Sequence, residues 1–105
     1  MIRISVMYPN QGGHFDLDYY TRKHMALVRK LLTPYGLVLT EVDRGVGSNP
    51  PGTPAPYVAV GHLIFNSMED MQRGMERHDS DLAEDLSNFT DINPLFQISE
   101  LQEKN

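Results

Sequence analysis

A chain of 105 residues with no cysteine and a formal net charge of −5 is long enough for one domain, and its composition excludes several classes of protein. The lack of cysteine excludes disulfides, thiolate nucleophiles and sulfur metal ligands, and it fits a cytoplasmic protein. The acidic balance argues against a nucleic-acid partner, because phosphate binding needs a basic surface. No run of residues approaches the roughly 18 apolar positions of a membrane span. We therefore expect one cytoplasmic domain over residues 1–105, without a nucleic-acid or membrane partner.

The N-terminal residues are predicted to form a strand. Residues 2–8 alternate between two sets of side chains, which is typical of a strand with one buried face. The positions on the buried face are Ile2, Ile4, Val6 and Tyr8. Pro9 lacks the backbone N–H that a strand ladder needs, and Gly12 and Gly13 favour a turn, so we expect the strand to end there.

Residues 15–32 are predicted to form one amphipathic helix with a histidine on its apolar side. Asp16 is placed as the N-cap, and Gly36 as the left-handed residue after the C-terminal end. Wound at about 100° per residue, the helix gathers its apolar positions on one face. These are Leu17, Tyr20, His24, Leu27, Val28, Leu31 and Tyr35. A titratable imidazole facing the core makes His24 the foremost candidate for chemistry.

Three further strands are predicted, over residues 37–44, 57–65 and 95–101. The strand over 57–65 carries apolar side chains on both faces, which is typical of a central strand covered on both sides. The segment 45–56 before it is rich in glycine and proline and has no periodicity. Such a segment is either a functional loop or a plain extended connection between strands.

A second helical region lies before the last strand. Ser67 and Asp70 form a capping-box pattern that predicts a helix over residues 68–77. The polar residues 78–80 interrupt this pattern, and a further short helix is expected over 81–88. His78 is thereby placed in a turn and, like His14, is expected to be solvated.

The predicted element order is β-α-β-β-α-β, which is the split βαβ pattern of ferredoxin-like α+β folds. Right-handed crossovers place both helices on one face of a four-stranded antiparallel sheet. The other face is then bare, although the central strand also presents apolar side chains there. We therefore expect a homodimer in which two copies pack through the helix-free faces of their sheets.

Several runs of residues resemble the EthD family, named for ethyl tert-butyl ether degradation. They are Tyr8-Pro9, Phe15-Asp16-Leu17-Asp18-Tyr19-Tyr20 and His24-Met25-Ala26-Leu27-Val28, with Pro56-Tyr57-Val58-Ala59 and Phe65-Asn66-Ser67 in the later half. One departure is Ala26, where the family pattern has proline, and it should give a straighter helix. The resemblance implies a dimeric α+β barrel with a pocket between the sheet and the helices of each subunit. Relatives in this superfamily include monooxygenases, isomerases, cyclases and haem-handling proteins.

The candidate site is centred on His24, which is predicted as a catalytic proton shuttle. The alternative is a core histidine bonded to a backbone carbonyl or to Tyr8. Tyr8 and Tyr20 are expected to form a pocket wall that orients an aromatic ligand. His62 and Phe65 on the central strand are further pocket candidates. His62 has alternatives, since it can also point into the barrel between subunits, and it can pair with its symmetry mate or with a carboxylate.

Two functions are compatible with this pattern. The first is an EthD-like protein that binds a small apolar or aromatic compound and carries out cofactor-independent oxidation, isomerisation or cyclisation. The second is a non-catalytic dimeric accessory or carrier in which His24 is structural, so enzymatic activity is left open. No cofactor or metal is predicted, because no two histidines have ligand spacing and no glycine-rich phosphate motif is present. Haem ligated by His24 is the remaining cofactor alternative.

Overall fold

A computed structural model describes residues 1–104 and contains one four-stranded antiparallel sheet with the helices on one face. The strands are β1 (Ile2–Pro9), β2 (Leu37–Arg44), β3 (Tyr57–Phe65) and β4 (Leu95–Glu100). The first helix runs through α1 (Leu17–Tyr19), a π turn (Tyr20–His24), α2 (Met25–Leu32) and a 3₁₀ turn (Thr33–Tyr35). The second helix is α3 (Met68–Asp85), followed by a 3₁₀ turn (Leu86–Asn88). The spatial strand order β2-β3-β1-β4 is that of a ferredoxin-like sheet and confirms the predicted architecture.

The alternation in β1 assigns the two faces of the sheet. Ile2, Ile4 and Tyr8 are buried against the helices, as predicted. Ile4 pairs with Leu63 on β3 and with Ile98 on β4, so these three side chains share the helix-covered face. The residues between them in each strand lie on the helix-free face.

The ends of the first helix follow its sequence signals. The Asp16 carboxylate accepts a hydrogen bond from the backbone N–H of Tyr19 at 3.0 Å, which confirms the N-cap. Gly36 has a φ of 84°, which confirms the left-handed residue at the other end. In the same way, the Ser67 hydroxyl caps α3 by accepting from the N–H of Asp70 at 3.2 Å.

The sequence pattern predicts a uniform α-helix over this segment, but the first helix contains a π turn. Tyr20–His24 forms a π turn, and the N–H of Met25 bonds to the carbonyl of Tyr20. A π turn places one additional residue in the turn, so the residues after it are rotated about the helix axis. Met25, which uniform winding leaves outside the apolar stripe, is consequently buried with 2% of its surface exposed.

The predicted interruption at residues 78–80 is wrong, because α3 continues through it to Asp85. Its apolar side, with Met71 and Leu82 buried against the core, stays in register along the whole helix. His78 is also not a solvated turn residue. Its side chain is 14% exposed, bonds to Asp81 at 2.9 Å and packs edge-on against Tyr35.

Candidate functional site

A cavity of about 450 Å³ lies between the helix-covered face of the sheet and the two helices. Its walls are largely apolar and include strand, helix and loop side chains. The lining residues are Ile4, Val6, Tyr8, Tyr20, His24, Met25, Val28, Leu63, Met75, Asp79, Leu82, Ala83, Leu86, Pro94 and Phe96. Phe96 on β4 is 65% exposed, which marks this side as open to solvent. The volume falls within the range of small-molecule pockets.

Four aromatic rings pack into one cluster beside the cavity. Tyr8 contacts Phe15 and Tyr20 edge-on, with ring centroids 4.8 and 5.5 Å apart, and Tyr20 lies 5.0 Å from Phe89. Edge-to-face packing of this kind fixes ring orientation as well as burying area. The cluster therefore provides a rigid end to the cavity.

Gly61 on β3 makes room for this cluster. A Cβ atom at this position would overlap the hydroxyl oxygen of Tyr20 and would also crowd the Met25 side chain. Only a residue without a side chain lets the Tyr20 hydroxyl approach the strand so closely. The glycine thus positions one of the two tyrosines on the cavity wall.

Both tyrosines remain neutral hydrogen-bonding groups. Burial raises the pKa of Tyr8 to about 12, with a smaller opposing effect from the adjacent Tyr20 hydroxyl. Burial also raises the pKa of Tyr20, and the neighbouring Tyr8 adds to this shift. Neither hydroxyl ionises near neutral pH, so neither acts as a base. Because the two hydroxyls bond to each other, one proton of the pair remains to be donated.

His24 forms a buried pair with Asp85 at the end of α3. Its Nδ1 lies 2.8 Å from Oδ2 of Asp85, and the two side chains are 10% and 13% exposed. An ionised carboxylate can only accept, so the proton is assigned to Nδ1, which donates to Asp85. The other ring nitrogen, Nε2, is then the acceptor and has no hydrogen bond among the described residues. Because His24 lines the cavity, this arrangement offers an oriented base to a bound molecule.

Asp85 is held as a carboxylate by three donors. Its Oδ1 accepts from the Tyr19 hydroxyl at 2.7 Å and from the Asn88 amide at 2.9 Å, while Oδ2 accepts from His24. Burial disfavours the ionised form, but the hydrogen bonds from Asn88, Tyr19 and His24 outweigh it, and the pKa of Asp85 is lowered. The carboxylate therefore stays charged at neutral pH and can stabilise a protonated His24.

Three of the predicted site residues converge on this cavity, namely Tyr8, Tyr20 and His24. Phe65 is fully buried in the core but does not line the cavity. His62 lies on the helix-free face, where its Nε2 is 2.9 Å from Asp43 and its Nδ1 is 3.2 Å from the Ser5 hydroxyl. No residue of the glycine- and proline-rich segment 45–56 lines the cavity.

Sequence reasoning missed Asp85. A signal was present, because a carboxylate in the last turn of a helix opposes the helix dipole and needs donors elsewhere to compensate. The sequence pattern did not show that α3 continues without a break through residues 78–80. Without a continuous α3, the sequence could not predict that Asp85 lies beside His24.

The lining does not match a haem site. It offers one imidazole for the iron but no lysine or arginine to pair with the propionates, and Asp79 adds a negative charge. Among residues 1–104, no group of three or more histidine, aspartate or glutamate side chains is arranged to hold a metal ion. In the same range, no helix has the length and apolar character needed to cross a membrane.

Comparisons of the sequence and the structure with known proteins show which family the chain matches. The model of the EthD domain matches residues 14–93. An EthD-like protein from Ralstonia eutropha JMP134 is 33% identical and superposes with a TM-score of 0.92, covering 99% of this chain and 94% of that one. Among proteins of curated function, none matches the chain.

Two more distant structures share the fold. An ethyl tert-butyl ether degradation family protein from Bacillus halodurans C-125 is 20% identical with a TM-score of 0.68, covering 97% of this chain and 99% of that one. A dimeric ferredoxin-like protein from an uncultured marine organism is 13% identical with a TM-score of 0.57, covering 100% and 98%. The domain match over residues 14–93 and the 33% identity confirm the sequence resemblance, and the chain belongs to the EthD family.

Proposed function

We propose that this EthD-family protein binds a small, largely apolar or aromatic compound in the helix–sheet cavity and transfers a proton through His24. The observation that carries the proposal is the His24–Asp85 pair, at 2.8 Å, in the wall of an apolar cavity of about 450 Å³. A histidine that only fills space does not need a buried carboxylate held by two further donors. This pairing supports a role in chemistry over a purely structural one.

The proposed step is removal of an acidic proton from the bound compound. Nε2 of His24 accepts a proton from a phenol O–H or from a C–H next to a carbonyl, and the electron pair remains on the ligand as a phenolate or enolate. Asp85 stabilises the resulting imidazolium, while the neutral Tyr8 and Tyr20, whose hydroxyls bond to each other, have one hydroxyl proton left to donate to the developing oxyanion. Isomerisation, cyclisation and oxidation by dioxygen can all begin from this anion.

The proposal includes a homodimer formed through the helix-free face of the sheet. Leu39 and Leu95 on that face are 41% and 52% exposed, a costly arrangement for an isolated domain of this size. The marine relative described as dimeric has the same fold. Light scattering at micromolar concentration tests this part, and a stable monomer would contradict it.

Proton abstraction can be tested without knowing the natural substrate. Deuterium incorporation from D₂O at the carbon next to the carbonyl of a panel of cyclic ketones is followed by NMR for the wild-type protein, His24→Ala and His14→Ala. The exposed His14 serves as the matched control. We expect His24→Ala to lower the exchange rate about 100-fold or more and His14→Ala to leave it unchanged.

The same experiment separates the enzymatic function from the accessory alternative. Exchange by His24→Ala within a few-fold of wild type would eliminate the proton-shuttle role and favour a binding protein with a structural histidine. Circular dichroism of each variant shows whether a loss of exchange reflects the site or the fold.

A further inference from the structure

The charges around the cavity indicate which ligands it can accept. Resting on the proposed function, we infer that its ligands are uncharged oxygen compounds, such as phenols, ketones or quinones, and that matched carboxylates and phosphates are rejected.

Among residues 1–104, no cationic side chain lines the cavity. The lining contains no lysine or arginine, and its ionisable groups apart from the tyrosines are His24 and Asp79. His24 cannot make up for this lack. When neutral, it leaves the Asp85 charge unbalanced, and when protonated it only cancels that charge. The pair is therefore never net positive.

The wall formed by α3 strengthens this effect. The helix carries seven acidic and two basic residues, and one of the acidic residues, the exposed Asp79, borders the cavity. The cavity is also lined by the C-terminal half of α3, through Leu82 and Ala83. A helix carries partial negative charge toward its C-terminus, and α3 has no basic residue in its last turn. An incoming anion therefore meets an unfavourable potential from the side chains and from the backbone.

The polar groups that remain suit a neutral oxygen. The hydrogen-bonded pair of Tyr8 and Tyr20 presents one hydroxyl donor, and His24 presents an acceptor at Nε2. A phenol or enol can donate to the imidazole and accept from a tyrosine, whereas a carboxylate can only accept. A ketone or quinone also only accepts, so charge alone separates it from a carboxylate, whereas hydrogen bonding additionally favours a phenol or enol.

The test compares molecules of the same shape that differ in charge. Phenylphenol and 2-naphthol are titrated against the wild-type protein at pH 7 by calorimetry, alongside biphenyl carboxylate and 2-naphthoate. We expect each neutral compound to bind about 30-fold or more tightly than its matched anion, given the effective dielectric of a partly buried site. Equal affinity for both members of each pair would overturn the charge selectivity but not the binding site.

A pair of variants tests the origin of the selectivity. Asp79→Asn should narrow the ratio between phenol and carboxylate by about 3-fold or more, because it removes a charge from the lining. Glu76→Gln removes an exposed charge from the same helix outside the lining and should leave the ratio nearly unchanged. An identical ratio in both variants would overturn the role assigned to Asp79. Failure of all four compounds to bind the folded wild-type protein would overturn the proposed function together with this inference.

Discussion

The imidazole of His24 and the carboxylate of Asp85 lie 2.8 Å apart although 61 positions separate them in the chain. The contact joins the π turn of the first helix to the last turn of α3. Both side chains are nearly buried, and the carboxylate has two further donors. This pair is the feature from which most of the functional expectations follow.

Replacing Asp85 by asparagine should impair proton transfer while retaining the fold. An asparagine amide can donate to Nδ1 and favour the tautomer in which Nε2 carries the proton, so the base is lost. We expect deuterium exchange next to the carbonyl of a ketone substrate to fall about 100-fold or more. Glu84→Gln, an exposed change one position earlier, is the control. Exchange by Asp85→Asn at the wild-type rate would show that the pair does not orient the base.

Asp85→Asn should also make the free energy of unfolding less dependent on pH under acidic conditions. The pKa of Asp85 is lower in the folded protein than its ordinary value of 3.8, so the unfolded chain takes up its proton first as the pH falls. The stability that Asp85 contributes is complete above this ordinary value and is lost as the pH falls through the lowered one. Urea midpoints measured from pH 6 downward should therefore decline less steeply for Asp85→Asn than for Glu84→Gln. Parallel declines would contradict the lowered pKa.

At alkaline pH, Tyr8 should limit stability. Its pKa is raised from 10.0 to about 12 by burial, so the unfolded chain releases this proton first as the pH rises. The contribution of Tyr8 is present below pH 10 and disappears as the pH passes through 12. The free energy of unfolding of Tyr8→Phe should fall less between these values than that of wild type. Tyr57→Phe, in a less buried position, is the comparison, and equal losses in both variants would count against the shift.

A double-mutant cycle can test the packing of Gly61 against Tyr20. Gly61→Ala places a methyl group on the Tyr20 hydroxyl, and we expect a loss of about 1–3 kcal/mol in the free energy of unfolding. The loss should be smaller in a Tyr20→Phe background, where the hydroxyl is gone. Gly47→Ala, whose nearest contact is at 3.7 Å, should be close to neutral. Additive effects of the first two substitutions would refute this packing.

The proposed dimer can be probed with two equally exposed side chains. Leu39 on the helix-free face and Met68 at the start of α3 are both 41% exposed. Leu39→Glu should shift the protein toward monomer, because it places a charge in the proposed interface, whereas Met68→Glu should not. Sedimentation velocity over a range of micromolar concentrations measures the shift. A Leu39→Glu protein that associates as strongly as Met68→Glu would exclude this face as the interface.

The sequence carries enough local information to predict most of the fold. Alternation in β1 identifies the buried side of the sheet, and Asp16 and Ser67 mark helix starts that the hydrogen bonds confirm. Gly36 marks a helix end through its conformational freedom. Each of these signals depends on residues close in the chain, which is why they can be interpreted without the tertiary structure.

The parts that could not be predicted depend on tertiary contacts. A π turn and an α turn share nearly the same apolar spacing, so the inward rotation of Met25 has no local signature. The polar stretch that includes His78 remains helical because the apolar side of α3 is packed along its whole length. The contact between His24 and Asp85 depends on both the π turn of the first helix and the unbroken α3.

Asp85 gives the site a mechanical property as well as a chemical one. Its three donors include Tyr19 and His24 from the first helix, so the carboxylate clamps that helix to the end of α3. In the proposed reaction, proton uptake by His24 changes this clamp from a hydrogen bond between a neutral imidazole and a carboxylate into an ion pair with little solvent around it. The protein would then hold its two helices together most firmly while the reactive anion is present and loosen them once the proton is returned.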